Sequence, residues 1–222
     1  MISSEGPRMI IRAEDLSPGQ VRSLFEEAIA PRPLAIVSTT GAYGVPHLYV
    51  LEWYSSACPF PPMPYFTIDP ADGGGRGQEL LDQLGASGDF VLNGVDESLA
   101  SALPVIQGPR EPHASEFSRA GLTAVPSSRV RALRVRESPT HMECHVLDIF
   151  QTGNCWTVLG GALEFHLRED IHQNGKIKQS AHRAIGRVGH GLHCRCSNPH
   201  VLQPSLSTTE HGLPSDAEGG PG

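Results

Sequence analysis

The chain has 222 residues, with 24 Asp and Glu against 17 Lys and Arg and a formal charge of −7 at pH 7. That length suits one domain with a substantial core, and the acidic balance argues against nucleic acid or an anionic membrane as partner, since neither is steered toward it. No apolar run approaches a membrane span, the N-terminus lacks the layout of a secretory leader, and Cys58, Cys144, Cys155, Cys194 and Cys196 form no C-x-x-C pair, so a cytoplasmic chain with reduced thiols and no metal site is expected.

Met1–Arg8 reads as a frayed start. Ser17 is a cap and Pro18 a first helical residue; Val21, Leu24, Phe25, Ala28 and Ile29 recur at helical spacing, which predicts a short amphipathic helix lying against the body of the fold. Leu34–Thr40 is a compact apolar, β-branched run, closed by the Gly41–Gly44 turn. Val45–Tyr54 and Tyr65–Ile68 follow as second and third strands. The short connections predict antiparallel pairing, and runs this apolar are expected to be buried on both faces.

Gly73–Gly77 reads as a flexible loop, and Gln78–Leu84 as a short helix with Leu80, Leu81 and Leu84 inward. Asp89–Val95 is a strand, and Glu97–Leu103 a helix ended by Pro104. Ile106–Ser115 is a loop, and Glu116–Ala120 a helical turn closed by Gly121. Val130–Val135 and Thr140–Phe150 read as strands, with Gly153-Asn154 at the turn to Cys155–Leu167. Asn174-Gly175 marks a hairpin within Ile171–Lys178. The last ordered run ends near Cys196, and Ser197–Gly222, rich in Ser, Pro, Gly and Thr, predicts a disordered tail. The division is thus one domain over 1–196 and a tail over 197–222. The domain is mostly β with short helices, an α+β pattern that suits a closed antiparallel barrel.

Five segments carry a family resemblance: Pro31-Arg-Pro-Leu-Ala-Ile-Val-Ser-Thr39, SGDFVLN at Ser87–Asn93, SEFSRAGLTAVPS at Ser115–Ser127, RVRESPTHMEC at Arg134–Cys144 and AIGRVGHG at Ala184–Gly191. In order and spacing, from about residue 10 to 196, the chain resembles the flavin reductase-like proteins with an FMN-binding split β-barrel. The resemblance implies that fold, a homodimer with a flavin pocket at or near the subunit interface, and NAD(P)H used without a Rossmann motif. It also implies that Ser38, Thr39, Arg76, Gln78 and Arg187 stand at flavin-pocket positions. Relatives of this branch often accompany specialised metabolism.

Two segments depart from the family pattern. Where the family reads N-L-A-P-F-S, this chain has His47-Leu-Tyr-Val-Leu-Glu52, followed by Trp53 and Tyr54. Where the family opens a helix with Lys-Asp-Thr, this chain runs from Gly73 through Arg76, Gln78 and Glu79 to Asp82. A helix N-terminus attracts phosphate, and a hydroxyl and a cation complete such a site. Glu79 offers a competing anion there, and Glu52 adds a second if it faces the pocket. Arg76 is either the remaining phosphate cation or a solvated loop residue.

Glu52 is the first candidate for chemistry, because a carboxylate in a strand of Leu, Tyr, Val and Trp is unusual. Facing the pocket it is a general acid or base; turned out by strand alternation it is solvated. His47 either shuttles protons near neutral pH or is a half-exposed residue after Pro46. Tyr49, Trp53 and Tyr54 fill the space of a flavin ring, line a pocket for an apolar substrate, or belong to the core. His193 joins the catalytic candidates, and His190 the pocket. His141 and His145 lack partners at metal-ligand spacing. No G-x-S-x-G elbow, phosphate-binding loop or dinucleotide fingerprint occurs.

The leading expectation is an enzyme repurposed to act on a small organic substrate by acid–base or cyclisation chemistry, without tightly held FMN. Its alternatives are an NAD(P)H-dependent FMN or FAD reductase serving a partner monooxygenase, and a non-catalytic ligand-binding protein.

Overall fold

The computed structural model describes residue 6 and residues 8–109, 115–189 and 191–196. The predicted tail, His190 and most of the frayed start lie outside the described residues. Ser17 accepts from the Gln20 N–H while Gln20 accepts from the Ser17 N–H at 2.9 Å, so helix α1 (Pro18–Ala28) begins at the predicted cap. Its apolar stripe is not packed inward: Leu24, Phe25 and Ile29 are 40, 54 and 48% exposed.

The strands are β1 (Arg32–Pro33), β2 (Ala35–Thr40), β3 (Pro46–Leu51), β4 (Tyr54–Cys58) and β5 (Met63–Ile68). After helix α2 (Arg76–Ser87) comes β6 (Asp89–Gly94), then helices α3 (Ala102–Gln107) and α4 (Glu116–Arg119). The short pair β7 (Ala124–Val125) and β8 (Arg134–Val135) precedes the long pair β9 (Thr140–Thr152) and β10 (Cys155–Leu167). The chain closes with β11 (His172–Gln173), β12 (Lys176–Ile177), α5 (Gln179–His182), β13 (Ile185–Gly189) and β14 (Leu192–Arg195).

Seven strands form one antiparallel sheet in the order β3-β2-β6-β9-β10-β5-β4. Its two end strands, β3 and β4, are consecutive in the chain, and no ladder joins them among the described residues. The sheet is therefore open at this seam rather than closed as the sequence predicts. The predicted strand Val45–Tyr54 is in fact two strands that part at Glu52, where the Trp53 carbonyl takes the Thr67 N–H at 3.0 Å and commits the chain to β5.

Strand β2 is buried on both faces, as expected. Ala35 and Val37 meet Tyr49, Phe66, Phe90 and the Leu80, Leu81 and Leu84 stripe of α2. On the opposite face, Ile36 joins Leu48, Leu99, Leu103, Ile106 and Phe117 under α3 and α4. Helix α2 can approach the end of β5 because residue 77 is glycine; a Cβ there would lie 2.0 Å from the Asp69 carbonyl oxygen.

Three other expectations change. Pro104 does not end a helix but sits in the first turn of α3, where its missing N–H removes no bond. Ile106 is then fully buried helix rather than loop. The Val130–Val135 strand shrinks to Arg134–Val135. The Asn174-Gly175 hairpin forms as predicted, with φ of 52° and 74°. Among the described residues no helix is long and apolar enough to cross a membrane.

Candidate functional site

A cavity of about 330 Å³ opens at the β3–β4 seam. The seam contributes Tyr49, Leu51, Glu52 and Trp53, the end of β5 Ile68 and Asp69, and α2 Arg76, Gly77 and Leu80. Ile106 of α3, Arg187 of β13, and Arg22 and Glu26 of α1 complete the wall. The volume lies at the lower end of the roughly 300–1,000 Å³ span of small-molecule pockets.

Glu52 does face this cavity, but not as a solitary carboxylate. Arg187 donates to one of its oxygens at 2.5 Å and Arg32 to the other at 3.3 Å. β1 and β13 pair with Arg32 opposite Arg187, so the small sheet itself sets the two guanidiniums side by side. Arg32 is only 1% exposed; it also donates to the Glu26 carbonyl and lies over the Trp53 ring at 4.8 Å. A guanidinium buried this deeply demands a counter-charge, and Glu52 supplies it. Glu52 is therefore a counter-ion that fixes the corner.

Arg76 is neither a solvated loop residue nor a waiting phosphate cation. It is the first residue of α2 and donates to the carbonyls of Ile106 (2.5 Å), Gly108 (3.0 Å) and Leu48 (3.0 Å). Its guanidinium also approaches Glu116 at 3.5 Å and the Tyr49 ring at 5.3 Å. It binds α2, α3 and β3 together.

Glu116 is the group the sequence reading passed over. Fully buried, it accepts from the Leu48 N–H at 3.1 Å and contacts His47 Nδ1 at 3.2 Å. Its sequence signal was an acid beside Phe117 at the first position after the Ser115 cap. His47 lies behind the cavity wall on this carboxylate, its ring against Gly41, where a Cβ would come within 2.6 Å. His47 and Glu52 therefore do not converge on one volume.

The remaining candidates are dispersed. Ser38 and Thr39 are fully buried: Ser38 donates to the Leu133 carbonyl and Thr39 to Gln83, both at 2.5 Å, and neither lines the cavity. Gln78 is exposed and donates to Asp82 at 2.8 Å. Tyr54 donates to the Leu34 carbonyl at 3.3 Å, and burial pushes its hydroxyl up to about 12. It lines a separate groove with Pro33, Met142 and Phe165. His193 is exposed on β14, opposite Arg187 in register but outside the cavity lining. His190 lies outside the described residues. The structure thus brings together Tyr49, Glu52, Trp53, Arg76 and Arg187.

A flavin presents a ring and a phosphorylated chain, and the cavity treats them differently. Tyr49, Trp53, Leu80 and Ile106 give an apolar wall suited to a planar ring. At the start of α2 the side chains that could hold a phosphate are already engaged. Arg76 is committed to carbonyls, the Gln78 N–H donates to the Pro70 carbonyl at 3.2 Å, and Arg22 is tied to Asp72 at 2.9 Å and Asp69 at 3.6 Å. The carboxylates of Asp69 and Asp72 stand at the same end. The residues present fit the ring and do not fit a tightly held phosphate at the predicted place.

The profile of the family described as flavin reductase like domain matches residues 28–181. The uncharacterised protein BH2278 of Halalkalibacterium halodurans is 29% identical over 192 residues, 81% of this chain and 88% of its own length. Nitrilotriacetate monooxygenase component B from Bacillus cereus superposes with a TM-score of 0.82 at 21% identity, covering 89% of this chain and 100% of that one. The 2-nitrobenzoate 2-nitroreductase NbaA of Pseudomonas fluorescens does so with a TM-score of 0.80 at 20% identity, covering 92% and 100%. Both share the overall fold of this chain.

Proposed function

Because the chain belongs to the flavin reductase-like family, we propose that it is an NAD(P)H-dependent flavin reductase that takes flavin as an exchangeable substrate rather than as a held cofactor. The observation that carries this reading is the commitment of Arg76, a candidate phosphate cation, to three backbone carbonyls and Glu116. Bound flavin supplies a ring that accepts a hydride from a nicotinamide. The chain's own part is to offer that ring an apolar wall, from Tyr49, Trp53, Leu80 and Ile106, and to hold the corner rigid through Arg32, Glu52 and Arg187. Recognition that rests on the ring leaves the rest of the molecule weakly discriminated, so reduced product leaves readily.

This reading displaces acid–base or cyclisation chemistry, which needs Glu52 and His47 free and facing one substrate. Glu52 is spent on two arginines and His47 on buried Glu116. The resemblance to a protein named as one component of a monooxygenase supports delivery of reduced flavin to a second enzyme. The proposal includes a cytoplasmic homodimer, supported by the exposed apolar side chains of α1 and of Leu163, Phe165 and Leu167 on β10; light scattering of the pure protein tests the dimer.

The function is tested by NADH and NADPH oxidation with riboflavin, FMN and FAD. Protein that is colourless after desalting, turns over with all three, and has KM values within about tenfold of one another, or ~1.4 kcal/mol, is the expected result. Absence of flavin-dependent oxidation would overturn the reductase reading. FMN retained stoichiometrically through desalting would overturn the exchangeable one.

A further inference from the structure

A second cluster of ligating side chains lies away from the cavity, on the β9–β10 ladder. Glu143 and Glu164 oppose each other in register, and His166 stands two residues beyond Glu164 on the same face. Ser128 reaches in from the connection between β7 and β8. Four donor atoms form a closed ring. Glu143 Oε1 to His166 Nε2 is 2.7 Å and His166 Nε2 to Glu164 Oε1 is 3.3 Å. Glu164 Oε1 to Ser128 Oγ is 2.6 Å and Ser128 Oγ to Glu143 Oε1 is 3.3 Å.

A tetrahedral zinc ion with nitrogen and oxygen ligands at roughly 2.0–2.2 Å sets neighbouring donors about 3.3–3.6 Å apart. Two edges of the ring already match. The two short edges are hydrogen bonds and need to open by about 0.7 Å once a metal stands among the donors. Glu143 is fully buried, and it is oriented from behind by the Ser128 N–H at 3.0 Å and the Arg129 N–H at 2.6 Å. Outer donors of this kind pre-set a ligating carboxylate.

Arg134, at 3.6 Å from Glu143, offsets one of the two carboxylate charges and leaves the cluster net negative when His166 is neutral. The side chains of His166 and Glu164, 24 and 36% exposed, give an ion access from solvent. An imidazole nitrogen converging with a buried, pre-oriented carboxylate and a partly open one distinguishes this place from an ordinary acidic patch.

We propose that Glu143, Glu164 and His166, with the Ser128 hydroxyl at the fourth corner, bind one divalent transition ion of the zinc class, clamping the connection between β7 and β8 to the β9–β10 ladder. The ion takes the place between His166 Nε2 and Glu143 Oε1 while the neutral imidazole keeps its one ring proton on Nδ1, and no redox change is involved.

The test uses the full chain, stripped with EDTA, desalted and titrated with zinc sulfate by calorimetry in two buffers, with cobalt(II) absorption as a second probe. One zinc per chain, a tetrahedral cobalt spectrum and a raised thermal midpoint are expected. Glu164→Gln and His166→Gln should each weaken binding by no less than the roughly 10–100-fold that loss of an outer-shell partner costs, while exposed His172→Gln leaves it unchanged. Circular dichroism verifies that the variants fold. No zinc binding by wild type, or binding that survives both ligand variants, would overturn the site and leave the cluster a metal-free staple.

Discussion

Replacing Glu52 by glutamine removes one charge from between two guanidiniums at nearly constant size. Unit charges about 4 Å apart interact by ~4 kcal/mol at an effective dielectric of 20. Removing one partner of a buried pair costs roughly 3–5 kcal/mol. Glu52 keeps 16% of its side chain exposed and Arg187 21%, and the amide oxygen still accepts one N–H, so about 2–3 kcal/mol applies here. A domain of this size loses roughly 2–4 °C of thermal midpoint per kcal/mol, which predicts a fall of about 4–12 °C. The same change frees Arg32 and Arg187 to hold an anion at the cavity rim. FMN affinity should then rise about tenfold, ~1.4 kcal/mol, relative to riboflavin. Inorganic phosphate should recover part of the lost midpoint by binding the folded state. The assays are thermal melts in chloride and phosphate buffers and fluorescence titrations with both flavins. A midpoint within about 1 °C of wild type, with an unchanged ratio of the two affinities, would refute the reasoning.

Glu116→Ala removes the buried carboxylate that His47, Leu48 and Arg76 share. It should cost about 3–5 kcal/mol, read as a lower urea midpoint, and should raise flavin KM because Arg76 no longer fixes the α2 side of the cavity. Trp53→Ala takes an aromatic wall from the cavity and a cation–π partner from Arg32; about 1 kcal/mol of lost contact predicts a roughly fivefold rise in flavin KM with little change in kcat. His141 is pushed down from 6.5 to about 4, first by burial and then by Arg134 and His166, with Glu143 opposing. The unfolded chain therefore binds the extra proton first, and stability falls as pH drops from about 6.5 toward 4, by on the order of 2 kcal/mol after allowance for solvent access. Urea midpoints against pH should show this slope in wild type and lose it in His141→Gln; identical profiles would rule the ring out as its source.

The elements that could be read from the chain are those whose causes are local. β2 announces itself because both of its faces are apolar, and Asn174-Gly175 because its turn needs two positive φ values. The stripe Leu80, Leu81 and Leu84 lies within one helix and packs as expected. The seam was not legible, because periodicity in Val45–Tyr54 carries no mark of where one sheet edge ends and the other begins. That break is set by Arg32 and Glu52, twenty positions apart, and by Arg187, 135 positions from Glu52. The candidate site follows the same division. Residue types named five of its cavity-lining members, but their roles depended on whether each charge was free or committed, which is a property of distant partners. An acid inside an apolar strand signals a buried cation elsewhere in the fold at least as strongly as it signals chemistry. Arg32, placed between Pro31 and Pro33 in the most apolar part of the chain, was that cation. Once Arg32 and Arg187 are counted as held by Glu52, and Arg76 by Glu116 and three carbonyls, little is left at the cavity to recognise a phosphate, and the apolar wall for a flavin ring is what the fold still offers.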